Sequence, residues 1–146
     1  SISGEVGATL FASTTGTDAD WVVKLIDVFP PEVRSNPELG GYQLMVSADI
    51  LRGRYRESLE HPKPSEPGVV APYRVRMPEA NHTFLPGHRI MVQVQSSWFP
   101  LYDRNPQAFV ANIANANPDD YQAATHRIWL APGQASYVEL PVVGVR

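Results

Sequence analysis

The chain has 146 residues, 43% of them hydrophobic, which is enough for one domain with its own core and too apolar for a disordered segment. It contains no cysteine, so disulfides, thiolate metal sites and a cysteine nucleophile are excluded. The formal net charge of −3 argues against a nucleic-acid binder, and no apolar run approaches the ~20 residues that cross a bilayer, so neither nucleic acid nor membrane is expected as a partner.

In chain order, Glu5 to Ser13 places Val6, Ala8, Leu10 and Ala12 on one side and reads as a strand. Thr14 to Asp18 is a turn cluster. Asp20 to Phe29 is rich in β-branched and aromatic residues and apolar on both faces, which suits a central strand. Pro30-Pro31 stops it, and Arg34 to Gly41 is a loop. Tyr42, Leu44, Val46 and Ala48 mark a third strand. Asp49 to Leu59 fits no single period and is taken as extended. Three prolines between His61 and Gly68 force a loop. Tyr73, Val75 and Met77 alternate with Arg74 and Arg76 in a further strand, and Asn81 to Leu85 is a connector.

Gly87 to Pro106 is the most informative stretch. Ile90, Val92 and Val94 alternate with Arg89, Gln93 and Gln95, the pattern of a strand with one face on a core. Pro100 and Pro106 then exclude a regular strand through Trp98, Phe99, Leu101 and Tyr102. This aromatic loop must bury its apolar surface under its own domain or against a neighbour. Phe109 to Ile113 reads as a short strand or turn, and Asn115 to Asp120 as loop. Thr125 to Leu130 and Ser136 to Val142 are strands around the Ala131-Pro132-Gly133 turn. Roughly eight short strands and no amphipathic helix predict a single all-β domain over residues 1–146, a sandwich or jelly roll.

Catalytic and metal signatures are sparse. There is no Gly-x-Ser-x-Gly elbow, no His-Glu-x-x-His and no phosphate-binding glycine loop, and His61, His82, His88 and His126 stand at no ligand spacing from one another. No catalytic residue, metal ligand or cofactor is therefore assigned. Asp18 and Asp20 could hold calcium, but ordering the turn by side-chain hydrogen bonds is the simpler account. Arg52, Arg54 and Arg56 alternate, which on a strand gives a row of ion pairs on one face. Trp98, Phe99 and Tyr102 read as a sugar-stacking platform, a loop core or a domain interface, and Pro100 with Asp103-Arg104-Asn105 favours the latter two. The charge is uneven. Residues 1–51 set two basic residues against seven acids (−5), residues 52–104 set eight against five (+3), and the remainder comes to −1. Solvated strand faces explain the basic middle more simply than an acidic partner does.

Several stretches together resemble the carboxy-terminal domain of the X-prolyl dipeptidyl-peptidase and cocaine-esterase group of serine hydrolases. They are Asp18 to Pro30, Leu51 to Arg56, Gly87 to Ile90 and, above all, Ser96-Ser97-Trp98-Phe99-Pro100-Leu101-Tyr102-Asp103-Arg104-Asn105-Pro106. The last, with Asn112-Ile113 and Asp120-Tyr121 after it, is most similar to the α-amino-acid ester hydrolases. The resemblance implies a galactose-binding-like jelly roll. It also implies a catalytic serine, aspartate and histidine in an α/β-hydrolase domain upstream, the partner on which this domain packs and whose cleft it helps to wall.

On that reading Trp98, Phe99 and Tyr102 are apolar anchors of the interface. Asp103 and Arg104 fix the loop by charge-assisted hydrogen bonds, Asn105 belongs to the same loop, and Leu10 and Phe11 are weaker candidates for the same surface. Ser1-Ile2-Ser3-Gly4, with no basic leader before an apolar core, reads as the interior of a longer polypeptide. The compartment stays open, a secreted or periplasmic bacterial parent being one expectation, and so does a homo-oligomer, since relatives often assemble. The competing readings are a carbohydrate-binding sandwich module and a free-standing enzyme on a jelly roll.

Overall fold

Two sheets arise from strands whose alternate residues are apolar. In the computed structural model, which describes residues 1–144, the strands are β1 (Ile2–Thr14), β2 (Asp20–Val28), β3 (Gln43–Arg52), β4 (Ala71–His82), β5 (Arg89–Gln95), β6 (His126–Ile128), β7 (Leu130–Ala131), β8 (Gln134–Ala135) and β9 (Tyr137–Glu139). The rest is turns and four short 3-10 segments, with no α-helix among the described residues. The first sheet runs β4–β1–β6, with β9 also on β1, and the second runs β3–β2–β5. All these pairings are antiparallel. The expected all-β sandwich is what the chain forms.

The core lies between the sheets. Val6, Ala8, Leu10 and Ala12 of β1 and Tyr73, Val75 and Met77 of β4 meet Trp21, Val23 and Leu25 of β2. Trp21 and Tyr73 form its aromatic centre, with ring centroids 5.1 Å apart. At one end Asp27, buried on the inner side of β2, joins the sheets. One carboxylate oxygen is 2.8 Å from His82 Nε2 at the end of β4, and the other is 2.8 Å from His88 Nδ1.

The expected elements differ in instructive places. The first strand begins at Ile2, three residues earlier than the alternation shows, because Gly4 takes φ +131 and the register slips between Gly4 and Val6. A bulge hides the period from a pattern read on the sequence. Asn81 and His82, expected in a connector, complete β4. Asp49 to Arg52 complete β3, and the chain then leaves the sheet in a 3-10 turn at Gly53–Tyr55. Gly53 is required there: its N–H donates to Ala19 O at 2.7 Å, and a Cβ would stand 2.7 Å from that same oxygen. Arg52, Arg54 and Arg56 therefore do not share a strand face. The two carboxy-terminal strands are broken into short pieces, where the Ser136 hydroxyl accepts from Phe11 N–H and donates to Trp129 O.

A further departure concerns β5. Ile90, Val92 and Val94 lie opposite Asp27, Leu25 and Val23 and so point to the core side, as the alternation predicts. Yet they are 53%, 42% and 37% exposed. β5 is an edge strand bonded to β2 alone, and none of its residues belongs to the core cluster or packs against it. Leu25→Ala is expected to cost about 2–5 kcal/mol in urea unfolding. Val92→Ala is expected to cost about 1 kcal/mol or less. Equal costs would mean that β5 is covered after all.

Candidate interface site

Asp20, Val22 and Lys24 alternate with the core residues Trp21 and Val23, so they face away from the core. The segment after β5 lies over them. The Lys24 ammonium sits 4.4 Å from the Trp98 ring centroid, and Asn105 Nδ2 donates to Asp20 Oδ1 at 2.9 Å. Between these points Val22 is fully buried. The aromatic loop is thus a lid on the outer face of β2, closed at its start by a cation–π contact and at its end by a buried amide.

The end is the stronger tie. Asn105 Oδ1 accepts from Gln107 N–H at 2.9 Å, which sets a tight turn, and Pro106 is fully buried. Gln107 then adopts φ 65, a left-handed conformation that costs a non-glycine residue roughly 1–2 kcal/mol. Its carbonyl accepts from Thr17 and Asp18 N–H at 3.0 and 3.4 Å, and Phe109 N–H donates to Thr17 Oγ1 at 2.8 Å.

Under this turn lies a buried ion pair. Arg54 Nε donates to Asp18 Oδ2 at 2.7 Å, with the side chains 3% and 0% exposed. Asp18 Oδ1 accepts from Ala19 N–H at 2.9 Å, and the guanidinium is stacked 4.6 Å from the Phe109 ring centroid. Asp18 therefore orders its turn through Arg54, and Asp20 ties the loop through Asn105. Burial pushes the Asp20 carboxyl up to about 6. The Asn105 hydrogen bond and the nearby Arg52 and Arg54 charges pull it down, while the Asp18 charge adds to the rise.

The other expected site residues fall as follows. Trp98 and Tyr102 are half-buried, their rings 6.1 Å apart, and Phe99 and Leu101 are 56% and 63% exposed. Among the described residues neither the Asp103 carboxylate nor the Arg104 guanidinium makes the expected charge-assisted hydrogen bond. Asp103 supplies its carbonyl to Arg52 Nη2 at 3.4 Å, and Arg104 lays its guanidinium 4.4 Å from the Phe99 ring and its carbonyl 3.4 Å from the Tyr121 hydroxyl. Leu10 is only 3% exposed between the sheets and belongs to the core rather than to this surface, and Phe11 is half-buried on the other side of β1.

Sequence reasoning did not anticipate a cavity of about 400 Å³ beside the loop, lined by Arg52, Arg54, Tyr55, Asp103 and residues 111–114. Nor did it anticipate the meeting of His82 and His88 on Asp27. No spacing signals either, because each is assembled from separate strands and loops. Among the described residues no three His, Cys, Asp or Glu side chains are grouped to hold a metal ion.

Residues 1–139 match the family described as the X-Pro dipeptidyl-peptidase C-terminal non-catalytic domain. The chain is 38% identical over 142 residues to a cocaine esterase of Rhodococcus sp. (strain MB1 Bresler), a match covering 97% of this chain and 23% of that protein. A crystal structure of an aminopeptidase from a marine sediment Thaumarchaeota archaeon aligns with a TM-score of 0.95 at 59% identity, over 98% of this chain and 23% of that one. A selenomethionine-labelled α-amino acid ester hydrolase aligns with a TM-score of 0.95 at 58% identity, over 97% and 23%. The chain thus spans about a quarter of the length of each relative.

Two outcomes test the ties. Arg54→Met leaves Asp18 buried and unpaired and is expected to cost about 3–5 kcal/mol, whereas Arg54→Met with Asp18→Leu costs clearly less. A double variant as unstable as the single one would contradict the pairing. For Asp20, the folded pKa lies above the unfolded value near 3.9, so the unfolded chain loses its proton first. The wild type therefore loses stability as pH rises from about 4 to about 6. Asp20→Asn keeps the acceptor for Asn105 and cannot ionise. Its advantage over wild type is expected to be absent below pH 4 and to grow to about 3 kcal/mol above pH 6, read from urea unfolding across that range.

Proposed function

The chain belongs to the family of X-Pro dipeptidyl-peptidase C-terminal non-catalytic domains, and on that premise we propose that it packs on the catalytic domain of a larger serine hydrolase and shapes its substrate cleft. The parent acts as an acyl esterase, α-amino-acid ester hydrolase or X-prolyl dipeptidyl-peptidase. Its nucleophile, base and orienting acid lie on the α/β-hydrolase domain, and the present chain contributes surface and rigidity. The relatives' lengths support this, since about three quarters of each lies outside the matched region.

The observation that carries the proposal is the rigid presentation of Phe99 and Leu101. Both are mainly exposed, on a loop locked at Lys24 and at Asp20. Ordering a loop so firmly while leaving large apolar side chains in water makes sense when a partner covers them. The uncovered Ile90, Val92 and Val94 add a second apolar strip at the sandwich edge. A cleft wall has to hold position to within a fraction of an ångström to orient a substrate, and the buried Asp18–Arg54 and Asp20–Asn105 contacts give the loop that stiffness.

Replacing Phe99 and Leu101 together by aspartate in the full-length enzyme tests this reading. Burial of two such side chains contributes about 1.5–3 kcal/mol each, so kcat/KM is expected to fall about tenfold or more. Hydrogen exchange of residues 96–105 should rise to the level of the 146-residue chain alone. Kinetics and exchange equal to those of the parent would reject the interface. Ester turnover by the 146-residue chain alone would reject the division of labour.

A further inference from the structure

Gly7 stands inside β1 without a conformational reason to be glycine. Its φ lies outside the left-handed region, and an added Cβ would meet only the Glu139 side chain, at 3.7 and 4.0 Å, which is ordinary contact. Glycine inside a strand weakens it and often marks a bulge, a bend or a place where a ligand or another backbone comes close, and the register slip of β1 lies between Gly4 and Val6, before Gly7.

The surroundings indicate which. Gly7 is the floor of a trough of about 350 Å³ on the outer face of the first sheet, walled by Glu5, Arg74, Arg76, Tyr137 and Glu139. The register builds it in two rows. Arg76, Gly7 and Glu139 lie side by side across β4, β1 and β9, and Arg74, Thr9 and Tyr137 form the next row. With strands 4.7–4.9 Å apart the walls stand about 10 Å from each other, the width of one sugar ring with its hydroxyls.

The wall charges cancel, two guanidiniums against two carboxylates, so the trough selects neither an anion nor a cation. Its one ion pair is loose: Arg76 Nε is 3.8 Å from Glu5, and both side chains are largely exposed. Forked donors, carboxylate acceptors and the half-exposed ring of Tyr137 are the groups that bind vicinal hydroxyls and the C–H face of a pyranose.

We propose that this trough is a saccharide subsite for a neutral hexose or the terminal sugar of an oligosaccharide. Tyr137 stacks on the ring, Arg74 and Arg76 donate to hydroxyls, Glu139 accepts, and the bare floor at Gly7 lets the ring sit down on the sheet. The site is separate from the loop of residues 96–106, which covers the outer face of the other sheet, and it stands whether or not the docking reading holds.

Saturation-transfer NMR on the full-length protein, with the methyl glycosides of glucose, galactose, mannose and xylose and with N-acetylglucosamine, tests the proposal. At least one sugar should receive saturation at millimolar concentration. Tyr137→Ala and Gly7→Val should each weaken that binding about tenfold or more. Tyr42→Ala, at a half-exposed tyrosine outside the trough, should not. Tyr137 is half-exposed, so its variant retains the fold even where Gly7→Val does not. No transfer to any of these sugars overturns the proposal, and so does transfer that survives Tyr137→Ala. Protection of Arg74 and Arg76 from phenylglyoxal in the full-length protein also overturns it, because another part of the polypeptide would then fill the trough.

Discussion

The ion pair between Asp18 and Arg54 is the constraint on which one end of the molecule depends. Two charges taken fully out of water are tolerable only when each is closely compensated. Asp18 obtains Arg54 Nε and the Ala19 amide, and Arg54 obtains Asp18 and the face of Phe109, while its buried Nη2 has no hydrogen-bond partner among the described residues. Meeting those demands draws three separate loops together. The turn before β2 supplies Asp18, the 3-10 turn after β3 supplies Arg54, and the segment after the aromatic loop supplies Phe109. Backbone contacts then follow: Lys63 N–H to Arg54 O at 2.8 Å, Ser65 N–H to Thr17 O at 2.8 Å, and Thr17 N–H to Gln107 O at 3.0 Å.

This node converts a proline-rich, aromatic stretch with no regular secondary structure into a fixed surface. Asn105 hands the order on to Asp20, and Asp20 and Lys24 hold the two ends of the lid on one strand. The carboxyl of Asp20 bears a cost for this, since burial raises its pKa toward neutrality. At the opposite end Asp27 plays the simpler part, holding His82 of one sheet and His88 beside the other. Between these polar ends the apolar core sets the sheet spacing. Of the uneven charge along the sequence, Asp18 from the first third and Arg54 from the middle third meet at the node, while Arg74 and Arg76 lie on the open face of the first sheet.

The two outer faces of the sandwich carry different chemistry. One is covered by the lid and offers aromatic and aliphatic side chains on a stiff support. The other is open, with a neutral trough built from three strands. The physical division is between apolar area, which suits a permanent protein neighbour, and paired donors and acceptors around a bare floor, which suit a small polar ligand.

Much of the architecture was legible in the residues because strand alternation is local. Val6 to Ala12, Trp21 to Val28 and Tyr73 to Met77 declare their inner faces with a period of two, and Pro100 and Pro106 declare the loop. The prolines and aromatics around Trp98 marked an irregular segment, which lies over β2, and Asp18 was correctly read as ordering its turn. What sequence could not decide was which groups meet across the fold. Ile90, Val92 and Val94 have the pattern of a core face, but whether anything covers them depends on the extent of the opposite sheet. Leu10 and Phe11 are neighbours in the chain, yet the pleat sends one to the core and the other outward. Asp103 and Arg104 carry the charges, but the neutral Asn105 does the tying, because it alone lies within reach of a buried carboxylate. The pairing of Asp18 with Arg54, of Asp27 with two histidines, and of Gly7 with a trough walled by β4 and β9 joins residues tens of positions apart. Local periodicity reports the face a residue presents; only tertiary closure determines what that face meets.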